Sequence, residues 1–156
     1  SLIYYRMMGS FSSKNWTHVA ILVPSCMIIC VVIMLFSREL DIMSFGDEQA
    51  LSIGVNVYLQ KRMLIILSAL LTGISVAFTG TIGFIDLVAP HVVRRIFGPK
   101  HKIVIPMSFL YGGSFMSLAD LFSRTVLSPR EIPVGAVTAL IGAPFFAYIF
   151  LKSPSK

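Results

Sequence analysis

The chain alternates long uncharged runs with short polar intervals, at a spacing that a bilayer imposes. From Val19 to Phe36 no residue is charged and every helical face is apolar, with Pro24 as the breaker, so a spanning helix is predicted that ends at Ser37-Arg38. Residues 38–62, RELDIMSFGDEQALSIGVNVYLQKR, hold four of the seven acids and three bases, which predicts an ordered or amphipathic loop outside the hydrocarbon. Met63 to Val93 then runs 31 residues with Asp86 as the single charge, long for one crossing and short for two. Ile103 to Phe122 and Val134 to Leu151 read as further spans, joined by the polar connections GPKHK and SRTVLSPREIP.

The distribution of basic residues arbitrates the long run. If it is a hairpin, one side of the membrane collects Arg38, Lys61, Arg62, Arg94, Arg95, Lys100, Lys102, Lys152 and Lys156, nine bases, against four on the other: Arg6, Lys14, Arg124 and Arg130. A single crossing gives at best 8 to 5, so the positive-inside rule favours the hairpin and puts loop 38–62 in the cytoplasm. Gly80 and Gly83 then mark the turn, between a span at 63–80 and an abbreviated helix at 82–97 that contains Pro90 and measures roughly 24 Å at 1.5 Å per residue. The expectation is one all-α integral membrane domain over residues 1–156, a polytopic helical bundle. Its spans are predicted at about 19–36, 63–80, 82–97, 103–122 and 134–151. Leu2 to Met8 reads as the tail of another helix.

Composition agrees and removes alternatives. With 56% hydrophobic and 13% charged residues the chain is far from soluble-domain usage, and its mean hydropathy is +0.84. The net charge of +6 does not point to nucleic acid, because the bases are dispersed through short loops as topology signals. Cys26 and Cys30 lie one helical turn apart in an uncharged run without metal-ligand companions, and read as small apolar fillers.

No nucleophile-base arrangement, phosphate loop or metal-ligand spacing occurs, so neither an enzyme nor a bound cofactor is predicted. His18, His91 and His101 are scattered, and His91 after Pro90 reads as a polar cap. Gly73, Ala77 and Gly80 share one face, which predicts tight packing within the bundle. Gly135, Ala139 and Gly142 share another, bracketed by Pro133 and Pro144, where close packing and a gate or subunit seam are both open. Asp120 and Arg124 are spaced for a helical ion pair, and Arg124 with Arg130 flanks one outer loop that could meet a protein of opposite charge. Asp86 is costly at membrane depth unless paired or wet. In loop 38–62, Gly46, Ala50 and Gly54 recur every four residues, with Asp47 and Glu48 at the N-terminus of a short helix. That pattern predicts either a surface helix lying on the bundle or a smooth docking face.

Four stretches together resemble the FecCD family of permease subunits, the transmembrane parts of ABC importers for iron-siderophore, haem and cobalamin uptake. They are Gly46-Asp-Glu-Gln-Ala50 through Gly54, Gly80 through Arg95, Leu118-Ala-Asp-Leu-Phe-Ser-Arg124, and Ile132 through Phe146. Asp47 stands where the family often has Glu, and Asp86 where Gly is usual. The resemblance implies the C-terminal half of a ten-helix inner-membrane permease, which agrees with a chain that opens on Ser1. It also implies a second permease copy as homodimer partner, cytoplasmic ABC ATPase subunits, an extracytoplasmic substrate-binding protein and an iron-chelate cargo. By the same resemblance Gly46, Asp47, Glu48, Ala50 and Gly54 belong to a coupling helix seated in the ATPase, and Arg124 docks the binding protein, with Arg130 on the same outer loop as a further candidate. The final helix, with Gly135, Thr138, Ala139 and Gly142, would line the pathway or dimer seam, while Gly80, Gly83, Asp86 and Pro90 remain the candidates for the helix turn that the charge distribution predicts. The alternatives are an ion-gradient-driven secondary transporter or channel with broken helices, using Asp86, and a membrane scaffold without transport.

Overall fold

The computed structural model describes residues 14–126 and 132–152. They form seven helices: α1 (Trp16–Leu35), α2 (Ser37–Met43), α3 (Asp47–Ser52), α4 (Val57–Thr79), α5 (Ile85–Phe97), α6 (His101–Thr125) and α7 (Val134–Lys152). Four of them, α1, α4, α6 and α7, are long and apolar enough to cross a membrane. α5, with 13 residues, measures about 20 Å and is shorter than a hydrocarbon core of roughly 30 Å.

α6 is the hub, touching α1, α2, α5 and α7, while α4 lies against α1 and α5 is wedged between α6 and α7. The buried set is small and made of small side chains: Cys26, Val88, Ala89, Val93, Val104, Ala119 and Val134 among them. Large apolar residues such as Ile28, Ile65, Leu110, Leu140 and Phe150 point outward. That inverts the soluble pattern and suits surfaces covered by lipid tails or by other transmembrane helices, where small residues make the helix contacts. Cys26 is buried, with Sγ 3.9 Å from Ser75 Oγ on α4, the packing role its uncharged surroundings predicted. Gly73 does not pack as expected. A Cβ there would meet nothing within 4 Å, and with Ile65, Ser68, Thr72 and Val76 it lines an open groove on α4.

The loop predicted over 38–62 is a small helical lobe. α2 continues almost directly from α1, α3 follows a turn, and α4 already begins at Val57, so Val57–Arg62 belongs to the helix and not to the loop. Asn56 starts α4 because its side-chain oxygen accepts the Leu59 amide at 3.2 Å.

The turn after α4 also differs in detail. Gly80 does take a left-handed conformation, with φ 76°, but Gly83 does not, and the second left-handed residue is Phe84, at φ 68°. Gly80–Phe84 is non-helical and α5 starts at Ile85, three residues later than predicted. A bulky residue at positive φ costs on the order of 1–3 kcal/mol and persists only where its surroundings hold it. Gly142 of α7 supplies the hold: a Cβ on it would lie 2.6 Å from Phe84 Cβ, so the absence of a side chain there lets Phe84 sit against α7.

Candidate functional site

The residues singled out by sequence gather at the two ends of the bundle and on α7. At the lobe end, α3 has Gly46 as its N-cap, at φ 124°, and Gly54 just past its C-cap Ile53, at φ 92°, and neither glycine has a neighbour where a Cβ would be. Their smallness serves backbone conformation, since only glycine adopts such angles without strain. Ala50 between them is fully buried, with its carbonyl accepting the Val55 amide at 3.0 Å. The expected smooth outward face of three small residues is therefore corrected. The four-residue repeat shares a face only along a continuous helix, and α3 has six residues. What the lobe turns outward is Phe45, Leu51 and Ile53, at 75%, 58% and 69% exposure, beside the exposed acids Asp47 and Glu48.

Two polar ties hold the lobe. Lys61 of α4 pairs with Asp47. Asp41 of α2 reaches α6, where one carboxylate oxygen accepts the His101 amide at 2.8 Å and lies 2.7 Å from His101 Nδ1. Partial burial pushes the Asp41 carboxyl up, but the His101 amide, its ring and the charges of His101 and Lys100 outweigh that and hold it below the usual carboxylate range. Since an ionised carboxylate only accepts, the ring donates from Nδ1. Sequence reasoning missed this tie. Asp41 and His101 stand 60 residues apart, and nothing local to either names the other.

At the opposite end of α6, Arg124 Nε donates to Asp120 Oδ2 at 2.9 Å, the pair its spacing predicts. Both are partly open, so the ion pair contributes about 0.3–0.5 kcal/mol and leaves the guanidinium available. Arg130 lies outside the described residues. The buried Ser123 hydroxyl donates to the Ile132 carbonyl and ties the end of α6 to the approach of α7.

On α7 the small-residue set divides. Thr138 and Gly142 are buried with Val134 on the face toward the rest of the chain, Thr138 bonding back to the Gly135 carbonyl and Gly142 accommodating Phe84. These two pack within the chain, because the i, i+4, i+8 positions share one face and that face meets α5 and α6. Gly135 and Ala139 are half-buried at its margin. Asp86 is exposed in the first turn of α5, where the helix dipole favours an acid, and Pro90 removes the amide that would have bonded the Asp86 carbonyl. His91 is likewise exposed, and among the described residues no group of His, Cys, Asp and Glu is arranged to hold a metal.

A bundle of apolar helices with a small helical lobe at one end and an arginine at the other defines a polytopic membrane protein. The model of the FecCD transport family matches residues 1–152, and the chain belongs to that family. It is 41% identical over 150 residues to the uncharacterized ABC transporter permease YvrB of Bacillus subtilis, covering 96% of this chain and 42% of that protein. It is 40% identical to the hemin transport permease HmuU of Yersinia pestis, with 93% and 43% covered. It is 39% identical to the cobalamin import permease BtuC of Halobacterium salinarum, with 93% and 39% covered. In three dimensions it is similar, at a TM-score of 0.90 and 32% identity, to an inward-facing conformation of a protein classed as a metal-chelate type ABC transporter, covering 97% of this chain and 49% of that one. The chain thus spans less than half the length of these relatives.

Proposed function

We propose that this chain forms part of the permease subunit of a binding-protein-dependent ABC importer that moves an iron(III) chelate or a related metal complex into the cytoplasm. The observation that carries the reading is the family match over nearly the whole chain, which includes both the lobe and the arginine-bearing end of α6. Its relatives are named for hemin, cobalamin and ferric citrate import. In this reading ATP is hydrolysed by separate cytoplasmic subunits that seat on Phe45, Leu51 and Ile53 of the lobe, with Asp47 and Glu48 at its edge. Arg124 meets an acidic residue of the external binding protein, and complementary charge guides that encounter. The exposed side of α7, with Gly135 and Ala139 at its margin, faces the pathway and a second permease copy. Closure of the ATPases moves the lobe, and the helices open to one side and then the other.

The test is uptake by proteoliposomes containing the full-length permease with its ATPase subunits and binding protein. Labelled ferric siderophores, haem and cobalamin are offered in turn. One of them should accumulate only with internal ATP and the binding protein, and accumulation driven by an ion gradient alone would refute the reading.

Sidedness is separately testable. With Cys26 and Cys30 replaced by Ala in the full-length permease, Ser52→Cys on the exposed side of α3 should resist a membrane-impermeant thiol reagent in right-side-out vesicles and react in inverted ones. Ready labelling from outside would overturn both the topology and the ATPase contact.

A further inference from the structure

The Asp41–His101 tie connects the lobe to a helix that does not adjoin it in the chain. The lobe is otherwise attached by covalent continuity to α1 and α4, by the packing of α2 against α6, and by the Asp47–Lys61 ion pair, whose side chains are half exposed and which binds it weakly. At His101 the attachment is of another kind. The first amides of a helix lack partners within it, and Lys100 at the N-cap of α6 offers no side-chain bond to them. Asp41 fills that role from α2, taking the His101 amide and ring on one oxygen, in a site where the ring is 17% and the carboxylate 35% exposed. Bonds to an ionised acceptor are about twice as strong as neutral ones, and two donors converging from backbone and ring fix direction as well as distance. Pro106 lies one turn further along α6 and removes the amide that would have bonded the Lys102 carbonyl, so the first turn is held to the rest of the helix by one bond fewer. An external cap matters most at such an end.

From that capped turn α6 runs unbroken, roughly 35 Å, to Arg124. A rigid element touching both ends of the molecule is one of the structures that carry coupling between distant sites. We propose that Asp41 and His101 are positioning residues that lock the lobe to α6, so that a displacement of the lobe is delivered along α6 to the end bearing Arg124, and docking at Arg124 is returned to the lobe. The inference rests on the reading above that an ATPase seats on the lobe and a binding protein at Arg124.

The experiment uses the full-length permease purified with its ATPase subunits, and measures ATP hydrolysis with and without the loaded binding protein. Asp41→Ala should leave copurification of the ATPase and basal hydrolysis intact, while stimulation by the binding protein falls about tenfold, within the 5–150-fold range of site-to-site couplings. Asp41→Asn keeps an acceptor oxygen and should restore most of the stimulation, a rescue that loss of packing would not show. His101→Ala keeps the backbone bond and should lie between the two, and Asp41→Ala with His101→Ala should be no worse than Asp41→Ala alone. Unchanged stimulation in an assembled Asp41→Ala complex overturns the proposal. If Asp41→Ala does not accumulate, unchanged stimulation in His101→Ala overturns it equally. Ile53→Asp, which alters the lobe surface and leaves the joint intact, separates the two layers. It should abolish copurification, and if assembly and hydrolysis survive it, the seating of the ATPase on the lobe fails and the joint with it.

Discussion

Gly142→Ala is expected to destabilise the bundle by about 1–3 kcal/mol, out of proportion to one methyl group on an apolar helix. The added carbon would stand 2.6 Å from Phe84 Cβ and 3.4 Å from its Cγ. Carbon atoms settle at about 3.5–4.0 Å, so the pair must separate by roughly 1 Å. Rotating the Phe84 ring gives no relief, because Cβ moves only with the backbone. That backbone is set by the left-handed Phe84 itself, with Gly80 at φ 76° at the other end of the segment. α5 and α7 therefore have to part, and the adjoining contacts at Val88 and Thr138 go with them. Thermal unfolding of the detergent-solubilised, full-length permease would measure the loss. Phe84→Gly removes the opposing carbon and suits the positive φ, so in that background Gly142→Ala should be nearly neutral. Additive effects of the two changes would show that the Phe84 contact is not the source of the loss.

Ala50→Arg is expected to unpack the lobe itself. Ala50 has no exposed surface, so an arginine side chain placed there must force apart the α2–α3–α4 contact. Overpacking a filled site costs about 1–3 kcal/mol or more, and the lobe that must absorb it consists of two helices of 7 and 6 residues. The lobe should open while the long helices still insert, and limited proteolysis would then cut between Ser44 and Asn56. Ile53→Asp, by contrast, changes an outward residue and should leave the lobe as resistant as the parent. A protease-resistant Ala50→Arg lobe would mean that Ala50 is not enclosed, and would restore the outward small-residue face that its spacing suggests.

The membrane character, the all-helical class and the family were legible in the residues, because hydropathy is a local property and a bilayer punishes each unsatisfied backbone group where it stands. The Asp120–Arg124 pair was legible for the same reason: four residues on one helix fix the distance between them. What escaped depends on elements distant in the chain. Spacing alone cannot tell whether Gly46 and Gly54 are small to make room for a partner or to reach positive φ, and the short reach of α3 decides for the second. Nor does it tell which face of α7 turns inward, since nearly every residue of that helix is apolar. Phe84 decides it, by occupying the space that Gly142 leaves. The Asp41–His101 joint is the clearest case: a carboxylate in an acid-rich loop and a histidine in a basic turn are each unremarkable, and only the packing of α2 on α6 brings the acceptor to the unpartnered first amide of the central helix.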